Sequence, residues 1–239
     1  LGRIWRVVHE SAKRDVKPSL TKETPEGLVK RLSHPNGWYR DTAQRLLVER
    51  GATSVAPVLK QLASTNPDYR TRLHALWTLD GLGEIDAATV EKALTDKSVD
   101  VRASAVRLSE RWLGEPASPL SAIVVKLGDD PNWMVRRQVA ASLGMLPQAS
   151  RVRPLVSMLE KYGADPITVD AATSGLAGLE NEVLGLLLQG TATTPASQGA
   201  GATPRPAHPA GDAIATLSAT IARGRDAASA EKLFVIATD

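Results

Sequence analysis

The feature that most constrains the fold of this chain is a degenerate repeat. Four short strings that end in arginine mark it: Trp38-Tyr39-Arg40, Asp68-Tyr69-Arg70, Asp100-Val101-Arg102 and Met134-Val135-Arg136. These arginines are 30, 32 and 34 residues apart, and Thr168-Val169-Asp170 continues the spacing without the arginine. A period of this length is typical of stacked repeat proteins, in which each unit buries its apolar face against the next. Such proteins act mostly as binding surfaces and scaffolds.

Each repeat is predicted to be a pair of helices. In the second unit, apolar residues recur at helical spacing over 58–62, Asn66-Pro67-Asp68 breaks the pattern, and it resumes over 73–79. Gly81-Leu82-Gly83 then ends the unit. Proline suits a first helical turn, since its missing N–H has no intrahelical partner there. We therefore expect first helices to begin near Pro25, Pro57, Pro119 and Pro154. The sequence predicts an all-α solenoid of stacked antiparallel helix pairs.

Composition shifts divide the chain into four parts. Residues 1–24 contain an apolar string, 1–8, that is predicted to be the strand remnant of an upstream domain, followed by a linker. Residues 25–190 hold the repeats. Residues 191–211 are rich in Thr, Pro and Gly and are expected to be a flexible linker. Residues 212–239 regain helical spacing and are expected to be a further helical unit, truncated before a polar cap, in a parent chain that continues.

Motifs for catalysis and metal binding do not occur in this sequence. It has no cysteine, which excludes disulfides, thiolate metal sites and a thiol nucleophile within the segment. The histidines are far apart and lack ligands at metal-binding spacing: His9, His34, His74 and His208. No phosphate-binding loop or nucleophile elbow is present, and no apolar run reaches 18 residues, so no membrane span is expected. We predict no catalytic, metal-binding or cofactor-binding residue and no enzyme activity in this segment.

Two sets of residues are candidates for a binding surface. Arginines at equivalent positions of stacked units form a column: Arg40, Arg70, Arg102 and Arg136. Such a column could bind phosphates, but the favoured interpretation is a ladder in which arginines pair with acidic residues or helix-end carbonyls. Trp38 and Trp133 lie at turns between helices, where an aromatic ring stays partly exposed, whereas Trp77 is expected to be buried between repeats. Exposed tryptophan beside arginine is typical of protein-binding hot spots.

Three strings carry a resemblance to a known family. The string 69–83, Tyr-Arg-Thr-Arg-Leu-His-Ala-Leu-Trp-Thr-Leu-Asp-Gly-Leu-Gly, resembles the HEAT-like, phycobilin-lyase-type repeats of large bacterial membrane-bound dehydrogenases. The string 34–47 resembles the opening repeat of the same proteins, and 1–7 resembles the closing strand of their β-propeller. The family order is propeller, HEAT-like repeats and a c-type cytochrome domain. This resemblance implies an armadillo-like scaffold inside an exported, periplasmic redox protein of bacteria, with no cofactor in this segment.

Three functions remain open at this stage. The preferred one is a HEAT-like scaffold that connects domains of its own polypeptide or binds a protein partner. The second is a nucleic-acid-binding solenoid with an arginine-lined face, although a formal net charge of +3 is modest for that role. The third is catalysis by the repeats themselves, as in the lyases that attach bilins. A continuous positive groove would favour nucleic acid, and a mixed or apolar one would favour protein.

Overall fold

The computed structural model describes residues 7, 9–11, 19–192, 210–223 and 231. Within this part of the chain there are twelve α-helices and no strand. The helices are α1 (Pro25–Arg31), α2 (Gly37–Glu49), α3 (Ala56–Thr65), α4 (Tyr69–Leu82), α5 (Ala87–Leu94), α6 (Val99–Leu113), α7 (Pro119–Lys126), α8 (Trp133–Ser142), α9 (Gln148–Tyr162), α10 (Pro166–Thr173), α11 (Glu180–Ala192) and α12 (Gly211–Arg223). The predicted all-α fold is confirmed.

Local sequence signals set the ends of these helices. Side chains of Asn36, Asp68 and Asn132 accept hydrogen bonds from backbone N–H groups two residues ahead and so cap α2, α4 and α8. The predicted stop at Gly81-Leu82-Gly83 is confirmed. Gly83 has a φ of 74°, which glycine adopts without steric cost, and the N–H of Glu84 donates to the carbonyl of Leu79 over 2.9 Å.

Successive helices pair into six units, α1–α2 through α11–α12, which we number 1 to 6. The second helices of consecutive units pack on one another in order from α2 to α12. On the other side, α3, α5 and α7 pack in order, and α9 packs on α11. The result is a two-layered stack in which each second helix contacts the second helices of neighbouring units, and α7 packs on α5 and α6. Side-chain hydrogen bonds join the starts of successive second helices from α2 to α10, so their first turns lie along one edge of the stack.

One continuous hydrophobic core runs between the two layers. Its largest fully buried side chains are leucines contributed by units 1 to 5: Leu28, Leu32, Leu47, Leu59, Leu76, Leu79, Leu94, Leu113, Leu120, Leu143, Leu155 and Leu159. Units 4 and 5 approach most closely at Gly144 and Gly175, where a Cβ atom added to either residue would lie 2.7 Å from the Cα of the other. The backbones of these two units therefore meet without side chains between them.

Several expectations differ from the structure or lie outside the described residues. Pro154 does not begin a helix: α9 starts at Gln148, and Pro154 lies inside it, so the backbone hydrogen bond that proline cannot donate is missing within α9. Trp77 is only partly buried against the core, because it lies on the outer side of α4 beside α2. The predicted strand, apart from residue 7, lies outside the described residues, and so do residues 193–209 of the predicted linker 191–211. At its ends, α11 extends to Ala192 and α12 begins at Gly211. Helix α12 packs on α10 and α11.

Candidate protein-binding surface

The turn inside each of the first four units carries a recurring hydrogen-bond motif. Its first residue accepts a hydrogen bond from the backbone N–H two positions ahead; this residue is His34, Asn66, Asp96 or Asp130. The carbonyl of the same residue accepts a hydrogen bond from an arginine six positions ahead; these arginines are Arg40, Arg72, Arg102 and Arg136. The arginine therefore holds the turn against the first two helical turns that follow it.

Arg70 lies outside this series. Its side chain pairs with Asp68 at the end of its own turn, with Nε 3.0 Å from Oδ1, and is 48% exposed. Arg72 takes the equivalent position in unit 2 and is 4% exposed. The recurring Tyr-Arg dipeptide predicted that Arg70 is equivalent to Arg40. The capping residues show otherwise: Arg40 lies four residues after Asn36, and the residue four places after Asp68 is Arg72.

The same arginines connect neighbouring units through aspartates. Arg72 binds Asp96 of unit 3 with both Nε and Nη2 at 2.7 Å. Arg102 binds Asp130 of unit 4 at 2.8 and 3.0 Å. We call these pairs, together with Arg137–Asp165, the Arg–Asp ladder. Bidentate arginine–carboxylate pairs combine charge with fixed geometry, so the ladder fixes the spacing of four consecutive units.

In unit 4, one arginine binds the turn carbonyls and the adjacent arginine makes the ladder contact. Arg136 donates to the carbonyls of Asp130 and Pro131 and lies 4.5 Å from the ring centroid of Tyr162. Arg137 makes the ladder contact, with Nη2 and Nε 2.7 and 2.8 Å from the carboxylate of Asp165. The hydrogen bonds from Arg137 are the largest cause that lowers the pKa of Asp165 below its usual range.

Burial affects the ladder carboxylate of Asp130. Burial of Asp130, which is 3% exposed, opposes its ionisation. Hydrogen bonds from Arg102 and the backbone N–H of Asn132 outweigh that effect, and the pKa of Asp130 is lowered. The lowered pKa keeps Asp130 charged at neutral pH.

Unit 1 has no acidic contact of this kind. Arg40 donates to the carbonyls of His34 and Pro35, but its Nε is buried without a hydrogen-bond partner among the described residues. Asn66 stands where units 3 and 4 carry aspartate. The ladder therefore begins at Arg72.

These contacts leave few arginines of the column available to phosphates. Arg40, Arg102 and Arg136 point into turns of the protein, and Arg70 is paired with its neighbour. Arg45 and Arg107, on the second-helix face, bind Glu49 and Glu110 respectively. This face carries mixed charge in pairs.

A row of apolar side chains follows the edge where the second helices begin. We call it the edge row, and it comprises Trp38, Tyr69, Trp133, Met134 and Ile167. Each lies in the first turn of α2, α4, α8 or α10, and their exposed fractions range from 38% to 55%. Adjacent helices in such stacks are about 8–10 Å apart, so these first turns follow one another along the edge. Unit 3 interrupts the line, with the exposed Asp100 in its first turn.

Neighbouring side chains hold both tryptophans of the edge row in place. The ring of Trp38 meets Tyr39 edge-on at 5.2 Å between centroids, and Tyr39 stacks on His34 at 4.0 Å. The guanidinium of Arg137 lies 4.3 Å from the ring centroid of Trp133. Both rings are about half exposed and contact neighbouring side chains, which favours a low entropic cost when a partner binds them. The sequence identified Trp38 and Trp133 as exposed but missed Tyr69, Met134 and Ile167.

His74 belongs to the packing of α2 on α4. Its Nδ1 lies 2.8 Å from Oε1 of Gln44, and its Nε2 lies 3.9 Å from the Asp41 carboxylate. Burial, followed by the nearby charge of Arg40, lowers the pKa of His74, so the ring is neutral at pH 7. Among the described residues there is no group of three or more His, Cys, Asp or Glu side chains that could hold a metal ion. In the same part of the chain, none of the helices combines the length and apolar character needed to cross a membrane.

Known proteins are similar to this chain in sequence or in structure. Deoxyhypusine hydroxylase of Danio rerio is 30% identical over 125 residues, which is 52% of this chain and only 39% of that relative. A designed armadillo repeat protein, solved in complex with the peptide (KR)4, is similar in structure with a TM-score of 0.44 and 16% identity, over 91% of this chain and 99% of the designed one. Residues 25–109, which run from α1 into α6, match the family described as HEAT repeats.

Proposed function

We propose that this chain is a non-catalytic repeat scaffold that binds a protein partner along the edge row. The observation that carries the proposal is the recurrence of exposed apolar side chains in the first turns of four second helices. Exposed apolar patches mark interaction sites, and tryptophan and tyrosine are enriched among the residues that contribute most to protein interfaces. An isolated exposed leucine would carry no such meaning, whereas exposed apolar residues in the first turns of α2, α4, α8 and α10 do.

Nucleic-acid binding is the alternative, and the arginine contacts weigh against it. A nucleic-acid interface needs cations that can reach phosphates. Arg102 donates its hydrogen bonds to the Asp130 carboxylate and the carbonyl of Asp96. Arg72 likewise donates to the Asp96 carboxylate and the carbonyl of Asn66. The formal net charge is +3. We expect no sub-micromolar binding of duplex DNA at near-physiological salt, and such binding in a titration would overturn the scaffold proposal.

The wider setting is also a proposal. The resemblance of the strings 1–7, 34–47 and 69–83 supports a scaffold that connects a propeller and a c-type cytochrome domain in an exported, periplasmic bacterial redox protein. In that case the partner is a neighbouring domain of the same polypeptide or a protein of the same compartment. The coding sequence around this segment tests the idea: it should encode a propeller upstream and Cys-x-x-Cys-His downstream.

Photo-cross-linking in the native cell tests the edge row directly. A photoreactive phenylalanine analogue would replace Trp133 in one variant and Val58 in a control. Val58 is 48% exposed on α3, in the first-helix layer, and so matches Trp133 in exposure but not in location. We expect a discrete protein adduct at position 133 and none at 58. Absence of an adduct at 133, or the same adducts at both positions, would contradict the proposal.

A further inference from the structure

A second surface of the stack is a cleft between the first helices of units 3 and 4. It has a volume of about 990 Å³, at the upper end of the range for ligand sites in proteins. Apolar lining comes from Ala88 and Leu94 of α5, Ala122 and Ile123 of α7, and Leu127. Since α5 and α7 are equivalent helices of adjacent units, they run parallel and the cleft lies between them.

Short helices and small side chains leave this cleft open. Helices α5 and α7 have eight residues each, against 15 in α6. Eight residues span about 12 Å, which matches two turns of a helix lying alongside. Alanines at 88 and 122 leave space where larger side chains would close the gap. The opening is thus a groove of helical length with apolar walls.

The charges around the cleft divide into paired and unpaired groups. At the base, Arg102 and Asp130 neutralise one another, and Asp129 is paired with Lys161 over 2.7 Å. Lys92 on α5 and Lys126 on α7 are exposed, one on each wall, and neither forms an ion pair with another described residue. Glu91 is the one unpaired carboxylate among the lining residues. The rim therefore offers two cations on opposite walls and one anion.

We propose that the cleft binds an acidic amphipathic helix of a partner protein. Apolar side chains at i, i+3, i+4 and i+7 would enter between Ala88 and Ala122, as in helix-in-groove recognition, and carboxylates flanking them would face Lys92 and Lys126. This inference rests on the proposed function, since it names the kind of protein segment that the scaffold takes. The cleft also adjoins the edge row: Pro131 lines it, and Trp133 follows two residues later.

Fluorescence anisotropy with synthetic helices tests the proposal. The probe is a labelled peptide of about 16 residues with leucines at helical spacing and glutamates elsewhere. A matched peptide carries lysine in place of glutamate. We expect the glutamate peptide to bind at least about tenfold more tightly, and the preference to weaken with added salt. Equal binding of the two peptides would overturn the assigned charge preference.

Variants of the protein locate the binding. Ala122→Trp fills the groove and should abolish binding, whereas Val58→Trp, at an exposed site elsewhere on the first-helix layer, should not. The double variant Lys92→Glu/Lys126→Glu should reverse the preference towards the lysine peptide, whereas Lys97→Glu, an exposed lysine that does not line the cleft, should preserve it. Peptide binding that persists in Ala122→Trp would refute the assignment to this cleft.

Two further outcomes separate this inference from the proposed function. If the glutamate peptide does not bind but position 133 still gives its cross-linked adduct, the cleft proposal fails and the scaffold proposal stands. If both are absent, both fail. Sedimentation of the wild type and Ala122→Trp provides the remaining test: a dimer that Ala122→Trp dissociates would show a second copy of the chain in the cleft and overturn the peptide proposal.

Discussion

Loss of the Asp130 charge should destabilise the protein far more than loss of the Arg70 side chain. Replacing Asp130 with Asn keeps the hydrogen bond that its side chain accepts from the N–H of Asn132, but removes the charge opposite Arg102. The two side chains are 3% and 14% exposed, so Arg102 would keep a buried, uncompensated charge. Breaking one partner of a buried pair costs about 3–5 kcal/mol.

Arg70 provides the matched control. Its pair with Asp68 is 48% and 32% exposed, and exposed ion pairs are worth about 0–1 kcal/mol. Arg70→Ala should therefore leave the free energy of unfolding nearly unchanged. The contrast between the two variants depends on burial, since both remove one partner of an arginine–aspartate pair.

Urea unfolding followed by circular dichroism measures the difference. With a slope of roughly 2–3 kcal/mol per molar urea, Asp130→Asn should lower the midpoint by about 1 M or more. Because stacked repeats can unfold in parts, the transition should also be followed by tryptophan fluorescence. A double-mutant cycle with Arg102→Met isolates the pair, and we expect a coupling energy of about 2 kcal/mol or more. A coupling below about 1 kcal/mol would show that the ladder contact does not stabilise the stack.

Three other perturbations follow from the contacts. The pKa values of Asp130 and Asp165 are lowered in the folded state, so their stabilising contribution is complete above the ordinary carboxyl pKa and is lost as pH falls through the folded-state values. The thermal unfolding temperature should therefore fall below about pH 4. An unchanged unfolding temperature down to about pH 2 would contradict this. Gly144→Ala should cost about 1–3 kcal/mol in urea unfolding, because its methyl group meets the backbone of unit 5 at 2.7 Å; an unchanged midpoint would show that units 4 and 5 separate freely. Asn66→Asp should extend the ladder to Arg40 and raise the urea midpoint of unfolding. A lower midpoint would show that a carboxylate at position 66 does not reach Nε of Arg40.

The sequence predicted the architecture well because repeat period and helical spacing both report on it. Units, helix pairs and the stop at Gly83 follow from spacing and from residues with special backbone preferences. The edge row was recognised only at Trp38 and Trp133, since an exposed Ile167 or Met134 cannot be distinguished from a core residue by type. Exposure depends on the neighbouring unit, which sequence spacing does not describe.

The register of the arginines shows a different kind of failure. Arg70 and Arg72 are both arginines near the start of α4, and the Tyr-Arg dipeptide favoured the first. The position is defined by distance from the turn residue, six places after Asn66, and the capping bonds that define this origin are visible only in the structure. Likewise, the sequence does not show which arginine of the preceding unit reaches Asp96 or Asp130.

The Arg–Asp ladder gives the stack a direction that bears on how such a chain can be recombined. Units 3 and 4 each carry an aspartate for the unit before and an arginine for the unit after. Unit 2 carries the arginine but has Asn66 in place of the aspartate. Duplicating unit 3 or unit 4 would keep an Arg–Asp contact available on both sides, whereas unit 2 is suited to the start of a series. For the Arg–Asp ladder, growth of the array by gene duplication is therefore least disruptive within units 3 and 4.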